Sequence, residues 1–240
     1  MPITAITVSL QWMNSLVTLA VPPKGMTVTQ AKLLVEGFEN VFICETEADM
    51  LKQFLNLIED VDVLSGWNSE GYDLPYMINR VSKVLSKDDT RRFCLWKQLP
   101  KKRTFERYGR EQETYDLVGR VHLDSLELYR KYTYEERHSY RLDAIGEHEL
   151  GETKTVYEGS LDQLYNQDFR KFIEYNRQDV ALLDKLDKKL KFIDLTNELA
   201  HANTVLLQTT LGAVAVTEQA IINEAHRRGL QVPNRPKRDT

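Results

Sequence analysis

The spacing of apolar residues changes period several times along the chain, and each change predicts an element. Ile3–Leu10 and Ser15–Val21 are β-rich runs on either side of a short polar turn at Asn14, the pattern of a hairpin. Pro22, Pro23 and Gly25 end it. Val41–Cys44 reads as another short strand. From Glu47 to Ile58 the apolar Met50, Leu51, Phe54, Leu55 and Ile58 recur at helical spacing, which predicts a helix with one buried face. Val61–Leu64 fits a buried strand, Ser65-Gly66 breaks it, and a second helix follows from about Asp73 to Leu85. Strand, turn and helix in that order predict an α/β layered fold.

Residues 97–120 break the pattern. They are basic, punctuated by Gly109 and Gly119, and weakly periodic, which predicts an exposed hairpin or long loop. Strand character resumes over Val118–Leu123. From Ser139 onward the chain reads as mostly helical, with Ser160 as a helix N-cap. A long helix is expected from near Asp168, with Phe169, Phe172, Ile173, Val180, Leu183, Leu186 and Leu190 on its apolar side. A last helix is expected over roughly Asn203–Arg228, followed by a linker-like tail through Pro233, Pro236 and Arg238. There is no internal repeat or low-complexity segment.

Composition narrows the class more than the function. With 240 residues the chain can form one large domain or two small ones, and 42% hydrophobic with 28% charged residues is ordinary for a soluble protein. The net charge of −4 excludes a global field that attracts polyanions, so any nucleic-acid contact has to come from a local basic patch or from metal ions. Cys44 and Cys94 form no Cys-x-x-Cys pair and read as reduced thiols of a cytoplasmic protein. No apolar run reaches the ~18 residues of a membrane span, and no basic region precedes the first apolar stretch, so a secretory signal is not expected. The five histidines lack ligand spacing. Trp12 and Trp96 read as packing residues, and Lys188, Lys189 and Lys191 as the wet face of the long helix.

Two segments carry candidate chemistry. In Gly66-Trp67-Asn68-Ser69-Glu70-Gly71-Tyr72-Asp73-Leu74-Pro75-Tyr76-Met77-Ile78-Asn79-Arg80, Pro75 fits only the first turn of a helix and so pins Asp73 to the helix start. Asp73 is then either an N-cap or a carboxylate held at the carboxyl end of a strand, where α/β sheets place ligands. In Tyr175-Asn176-Arg177-Gln178-Asp179-Val180, Tyr175 and Asp179 are four apart and share a helix face. They are either a boundary pair or a phenol and carboxylate turned toward a site.

Together and in this order, the two segments resemble the second and third exonuclease motifs of phage-type family B DNA polymerases. The second motif there has the form Gly-Trp-Asn-x-x-x-(Phe/Tyr)-Asp-x-Pro-Tyr-x-x-Asn-Arg, matched throughout; the third has the form Tyr-Asn-x-x-Asp-Val. Pro2–Thr7, Leu123–Lys131 and Ser139–Ile145 also resemble segments of such polymerases, so the resemblance covers nearly the whole chain. It implies a ribonuclease-H-like (DnaQ-like) α/β fold, a mixed sheet flanked by helices with a helical C-terminal part. It also implies two-metal hydrolysis of DNA 3′-terminal nucleotides, with Mg²⁺ or Mn²⁺ as the ions. Asp179 would ligate one ion directly, and Asp73 would bind the second, directly or through water. Tyr175 would orient the attacking water, and Asn68 and Tyr72 would line the path of the terminal nucleotide. The basic residues Lys101, Lys102, Arg103, Arg107 and Arg110, with Phe105 and Tyr108 among them, resemble a hairpin that contacts DNA, although a solvated loop reads equally well. Residues 1–200 would be the exonuclease domain, and 201–240 a helical exit and linker toward a palm domain, whose motifs this chain lacks.

One feature departs from the family. The first motif, Asp-x-Glu on an opening strand, is absent, because no aspartate here is followed two places later by glutamate. The chain is expected to start just after it, with two of four metal carboxylates and a central strand missing. Weak or single metal binding, and activity lower by orders of magnitude, follow from that expectation. Asp124, Glu45 and Glu47 are the acids that could substitute, and an open sheet edge could be filled by swapping or by a homodimer. The alternatives are a stand-alone exonuclease with an upstream start and a catalytically dead DNA-binding or assembly module of the same fold.

Overall fold

A computed structural model describes residues 1–107, 109–151 and 159–234, without the side chains of Arg107 and Arg110. Strands β1 (Ala5–Leu10) and β2 (Ser15–Ala20) form the expected antiparallel hairpin, Ala5 opposite Ala20 and Leu10 opposite Ser15. The chain reverses at Asn14 with φ 46°, a left-handed conformation that asparagine tolerates better than most residues. A short helix α1 (Val28–Leu34) follows. Apolar spacing did not reveal it; a reciprocal capping box between Thr27 and Gln30 starts it. Strand β3 (Val41–Ile43) then pairs parallel to β2, giving the sheet order β1-β2-β3.

Helix α2 (Glu47–Leu57), capped by Thr46, buries Met50, Leu51, Phe54 and Leu55, the face its spacing predicts. Strand β4 (Val63–Gly66) begins two residues later than the apolar run, and Val61 is spent on the core before it. Helix α3 (Asp73–Val84) starts where Pro75 requires. The insert is a hairpin, β5 (Lys101–Arg107) with β6 (Arg110–Asp116). Tyr108 and positions 235–238 of the tail lie outside the described residues. Strand β7 (Val121–Asp124) pairs parallel to β4, with Gly66 opposite Asp124, and α4 (Ser125–Tyr132) follows at once.

The remainder is helical: α5 (Leu142–Leu150), α6 (Leu161–Gln167), α7 (Phe169–Leu190), α8 (Phe192–Asn203) and α9 (Ala213–Arg227). The expected last helix is corrected here. Asn203 ends α8, Thr204 turns left-handed at φ 56°, and α9 starts ten residues later, after a 3-10 turn at Leu207–Leu211. On α7 the buried residues are Phe169, Phe172, Ile173, Leu182 and Leu186, while Val180, Leu183 and Leu190 are only partly covered. No described helix is long and apolar enough to cross a membrane.

Helices cover both faces of the three-stranded sheet, so the fold is mixed α/β. On one face Leu10, Val17 and Leu19 pack with α2 and with Leu74, Ile78 and Val81 of α3. Leu64 of β4 joins the same cluster, so one helical layer lies under both sheets. On the other face α7 closes the sheet with Phe169, Phe172 and Ile173 against Ala20 and Ile43. Polar contacts fix its register: Thr7 Oγ1 donates to Asn176 Oδ1 at 2.6 Å, and Arg177 donates to Thr18 Oγ1 at 2.9 Å. Among the described residues, each of β1 and β4 pairs on one side only. Cys44 and Cys94 are buried free thiols, as expected. Trp12 and Trp96 are not core residues, since both are largely exposed (64% and 74%), Trp12 on a 3-10 turn of helix and Trp96 on a loop.

A buried cation ties the α2–α3 layer to β7. Arg120 is 2% exposed and donates to three main-chain carbonyls, Glu59 at 2.8 Å, Phe93 at 3.2 Å and Arg92 at 3.3 Å. Replacing it by methionine keeps volume but leaves those carbonyls unpaired. Arg120→Met is expected to lower unfolding free energy by on the order of 3 kcal/mol in urea titrations; a change under about 1 kcal/mol would mean the carbonyls find other donors.

Candidate active site

The turn from Gly66 to Tyr72 is held by β7, its parallel neighbour. Asp124 at the end of β7 is 3% exposed, and its carboxylate accepts three backbone N–H groups: Asn68 at 3.0 Å, Glu70 at 3.0 Å and Leu126 at 2.9 Å. The Leu126 bond caps α4, and the other two pin the turn. Two residues earlier on the strand, His122 Nε2 bonds Ser69 Oγ at 2.9 Å. Asn68 sits at φ 59°, and a Cβ on Gly66 would come within 2.8 Å of Ser69, so the tight turn needs glycine there. Trp67 points the other way and donates to the Tyr140 carbonyl at 3.0 Å.

This clamp delivers Asp73 to the first turn of α3. Tyr72 is the N-cap, so the capping role open to Asp73 in the sequence is not its role. Asp73 is solvent-accessible yet crowded by protein on its other sides. Burial, then the nearby charge of Asp124, push its carboxyl up to about 6, against the pull of a backbone N–H. Asp73 enters no ion pair among the described residues. Asp124 is also pushed up by burial, but its three N–H partners work in the opposite direction. The pair is therefore a concentration of carboxylate that no cation among the described residues matches.

Tyr72 is 62% exposed and stacks on Tyr76, with ring centroids 5.8 Å apart and planes 11° from parallel. Tyr175 and Asp179 lie one turn apart on α7, both half-buried, with Tyr175 against the cluster that covers β2 and β3. Among the described residues no group of three or more His, Cys, Asp or Glu side chains is gathered to hold a metal ion. Two of the three substitute acids are engaged elsewhere, and the third, Glu45, is exposed. Asp124 is filled by backbone donors, and Glu47 takes Arg80 at 2.5 Å and the Ile3 N–H at 2.8 Å.

The basic insert is less available than its sequence implies. Lys102 pairs with Glu113 at 2.6 Å, and Arg103 pairs with Glu70 at 2.5 Å and Asp116 at 3.0 Å. Arg103 thus ties the hairpin to the Asn68–Tyr72 turn, and Tyr115 adds a second tie through Asn79 at 2.8 Å. Sequence reasoning missed His122 and Ser69 altogether, since neither has a local pattern.

Burial and the Arg103 charge lower His122 to about 4. As pH falls below the ordinary histidine value near 6.5, the unfolded chain takes up a proton that the folded chain refuses until about 4. Stability contributed by neutral His122 is therefore present above pH ~6.5 and lost between ~6.5 and ~4. In His122→Gln, the fall in unfolding free energy from pH 7 to 4.5 is expected to shrink by about 2 kcal/mol. An unchanged fall would assign the acid sensitivity to other groups.

Comparison with known proteins gives the family of the chain. The sequence profile of the family described as DNA polymerase family B, exonuclease domain, matches residues 1–145. Relatives include the DNA-directed DNA polymerase of Enterobacteria phage T4, 30% identical over 181 residues, covering 75% of this chain and 20% of the relative. That of Escherichia phage RB69 is 27% identical over 204 residues, covering 84% and 22%. The DNA polymerase delta catalytic subunit of Bos taurus is 30% identical over 204 residues, covering 79% and 18%. The chain spans about a fifth of the length of these relatives. With more than half of its length under the family profile, the chain belongs to the exonuclease domain of the family B DNA polymerases.

Proposed function

We propose that this chain is the proofreading 3′→5′ exonuclease part of a DNA-directed DNA polymerase, with a ribonuclease-H-like fold, acting on the single-stranded 3′ end of a primer. The observation that carries the reading is Asp73, a carboxylate at the mouth of a parallel strand pair, raised by burial and then by the charge of Asp124, and paired with no cation among the described residues. Residues 1–200 would form this domain, and 201–240, with α9 burying no side chain of its own, would lead to further domains of the parent polymerase.

A divalent ion fits the donor chemistry in part. Asp73 and Asp179 are hard oxygen ligands of the kind Mg²⁺ and Mn²⁺ take, and an ion at Asp73 would relieve the carboxylate crowding. Two carboxylates do not neutralise two divalent ions, so weak or single occupancy is the expectation for this chain by itself. When bound, such an ion lowers the pKa of its water and stabilises a leaving oxygen. The protein's own contributions are positional. Asp73 and Asp179 would hold the ion, Tyr175 would orient water, and Asn68 and exposed Tyr72 would seat the terminal nucleotide. Lys101, Lys102 and Arg103 would lie beside the strand on a hairpin tied to the site turn by Arg103 and to α3 by Tyr115.

Two measurements test this. Millimolar Mn²⁺ is expected to raise the melting temperature of the wild type, with the shift lost in Asp73→Ala and Asp179→Ala; equal shifts in all three would put the ion elsewhere. On 3′-labelled single-stranded DNA with Mn²⁺, the slow shortening expected of the wild type should drop by about a hundredfold or more in either variant. Shortening that survives both substitutions would sink the assignment.

A further inference from the structure

We propose that Trp96 is a stacking platform for an unpaired nucleobase of single-stranded nucleic acid, set beside the hairpin. The proposal rests on the single-strand reading above and adds a contact outside the candidate metal site.

Trp96 is 74% exposed, but it is held. Trp96 and Lys97 are consecutive non-glycine residues with left-handed backbones, φ 53° and 56°. Each costs on the order of 1 kcal/mol relative to an ordinary conformation, so a pair persists only where surrounding bonds impose it. Those bonds are visible. Leu95 N–H donates to the Val118 carbonyl at 2.8 Å, Gln98 N–H to the Leu95 carbonyl at 3.1 Å, and Arg91 Nη1 to the Lys97 carbonyl at 2.7 Å. The indole also has a dedicated seat. A Cβ on Gly119 would lie 2.8 Å from Trp96 Cζ3 and 3.0 Å from Cε3, so the ring comes this close only because residue 119 is glycine. A strained turn, three braces and a glycine seat thus fix a large aromatic ring that stays mostly in water.

Charge identifies the occupant. From Arg91 to Arg107 the sequence has seven basic residues and one acid, Glu106, in a chain whose net charge is −4; Arg91, Arg92, Lys102 and Arg103 are paired with acids, which leaves the lysines nearest the indole. Lys97 adjoins the indole, and Lys101 begins the strand four residues on; both are exposed and neither enters an ion pair among the described residues. An exposed aromatic face with unspent lysines matches a single strand, whose bases stack without sequence preference while its phosphates take the cations. A protein partner would need a wider apolar surface than one ring with charged neighbours.

The test uses the whole chain and fluorescence anisotropy with two labelled strands of roughly a dozen nucleotides, one of thymidines and one of abasic units with the same phosphates. On the thymidine strand, Trp96→Ala is expected to weaken binding about five- to fiftyfold, Trp96→Phe by less than about threefold, and Trp12→Ala, at the other exposed tryptophan, by less than about twofold. On the abasic strand, wild type and Trp96→Ala should bind alike. A Trp96→Ala loss below twofold on thymidines, or an equal loss on both strands, overturns the platform and leaves the single-strand reading standing. A wild type that binds neither strand at low salt overturns both. Matching melting temperatures of wild type and Trp96→Phe separate ring loss from misfolding, and a Trp96→Phe that binds as poorly as Trp96→Ala also counts against stacking.

Discussion

The buried carboxylate of Asp124 is the constraint on which the site depends. A charged group with 3% exposure is costly unless its lone pairs are filled, and three backbone N–H groups fill them. Two of these donors belong to the turn after β4 and the third to the first turn of α4, so one side chain joins a strand end, a loop and a helix start. The cost appears next door. Because Asp124 carries its charge a short way from Asp73, the second carboxyl is harder to ionise than it would be alone. Burial raises Asp73 most, and the residue that shapes the turn adds to that shift.

The surrounding frame keeps both carboxyls in place. The parallel register that sets Gly66 opposite Asp124 also aligns Val63 with Val121, and Ser65 adds a bond to the Leu123 carbonyl at 2.8 Å. Beneath, α2 and α3 pack as one layer, and Arg80 of α3 meets Glu47 of α2 in a two-pronged pair. Above, the hairpin reaches down through Arg103 and Tyr115. Arg103 is largely exposed, so its ion pairs add little stability. Their effect is geometric: they set which way the hairpin leans, and they neutralise cations that the sequence alone offers to DNA.

How much of this was legible follows from what each feature depends on. Helices α2, α3 and α7 were read from period because each buries one continuous face, and Pro75 fixed the start of α3 to the residue. Helices α1, α4 and α8 were not separated, because each is short or starts directly after another element, where a change of period has no room to register. The Tyr175 and Asp179 face was visible as a four-residue spacing, and Asp73 as a residue between strand and helix. Asp124 was weighed only as a spare acid. Its actual role depends on β7 lying beside β4, a pairing across 58 residues that no local pattern encodes. His122 was passed over for the same reason. Trp96 was taken for core because tryptophans usually are; two left-handed residues and a glycine seat are properties of the backbone, not of the spacing.

Electrostatics links the parts of the proposed function. Asp73 and Asp124 lie at the end of a strand pair where a polyanion would have to approach, in a chain that is already negative. Phosphates and these carboxylates repel unless a cation stands between them. On the proposed reading, metal and nucleic acid therefore favour each other's binding, and by linkage the factor is the same in both directions. The hairpin supplies the opposite field from the side, but Lys102 and Arg103 spend much of theirs on Glu113, Glu70 and Asp116. On that reading, a strand drawn only by the hairpin would be weakly held and would stop short of Asp73, whereas a strand drawn also by an ion at Asp73 would be pulled up to that carboxylate. On the proposed reading, the division of labour follows from which charges are paired among the described residues, and it makes Asp73, rather than the basic insert, the group that would decide where a 3′ end comes to rest.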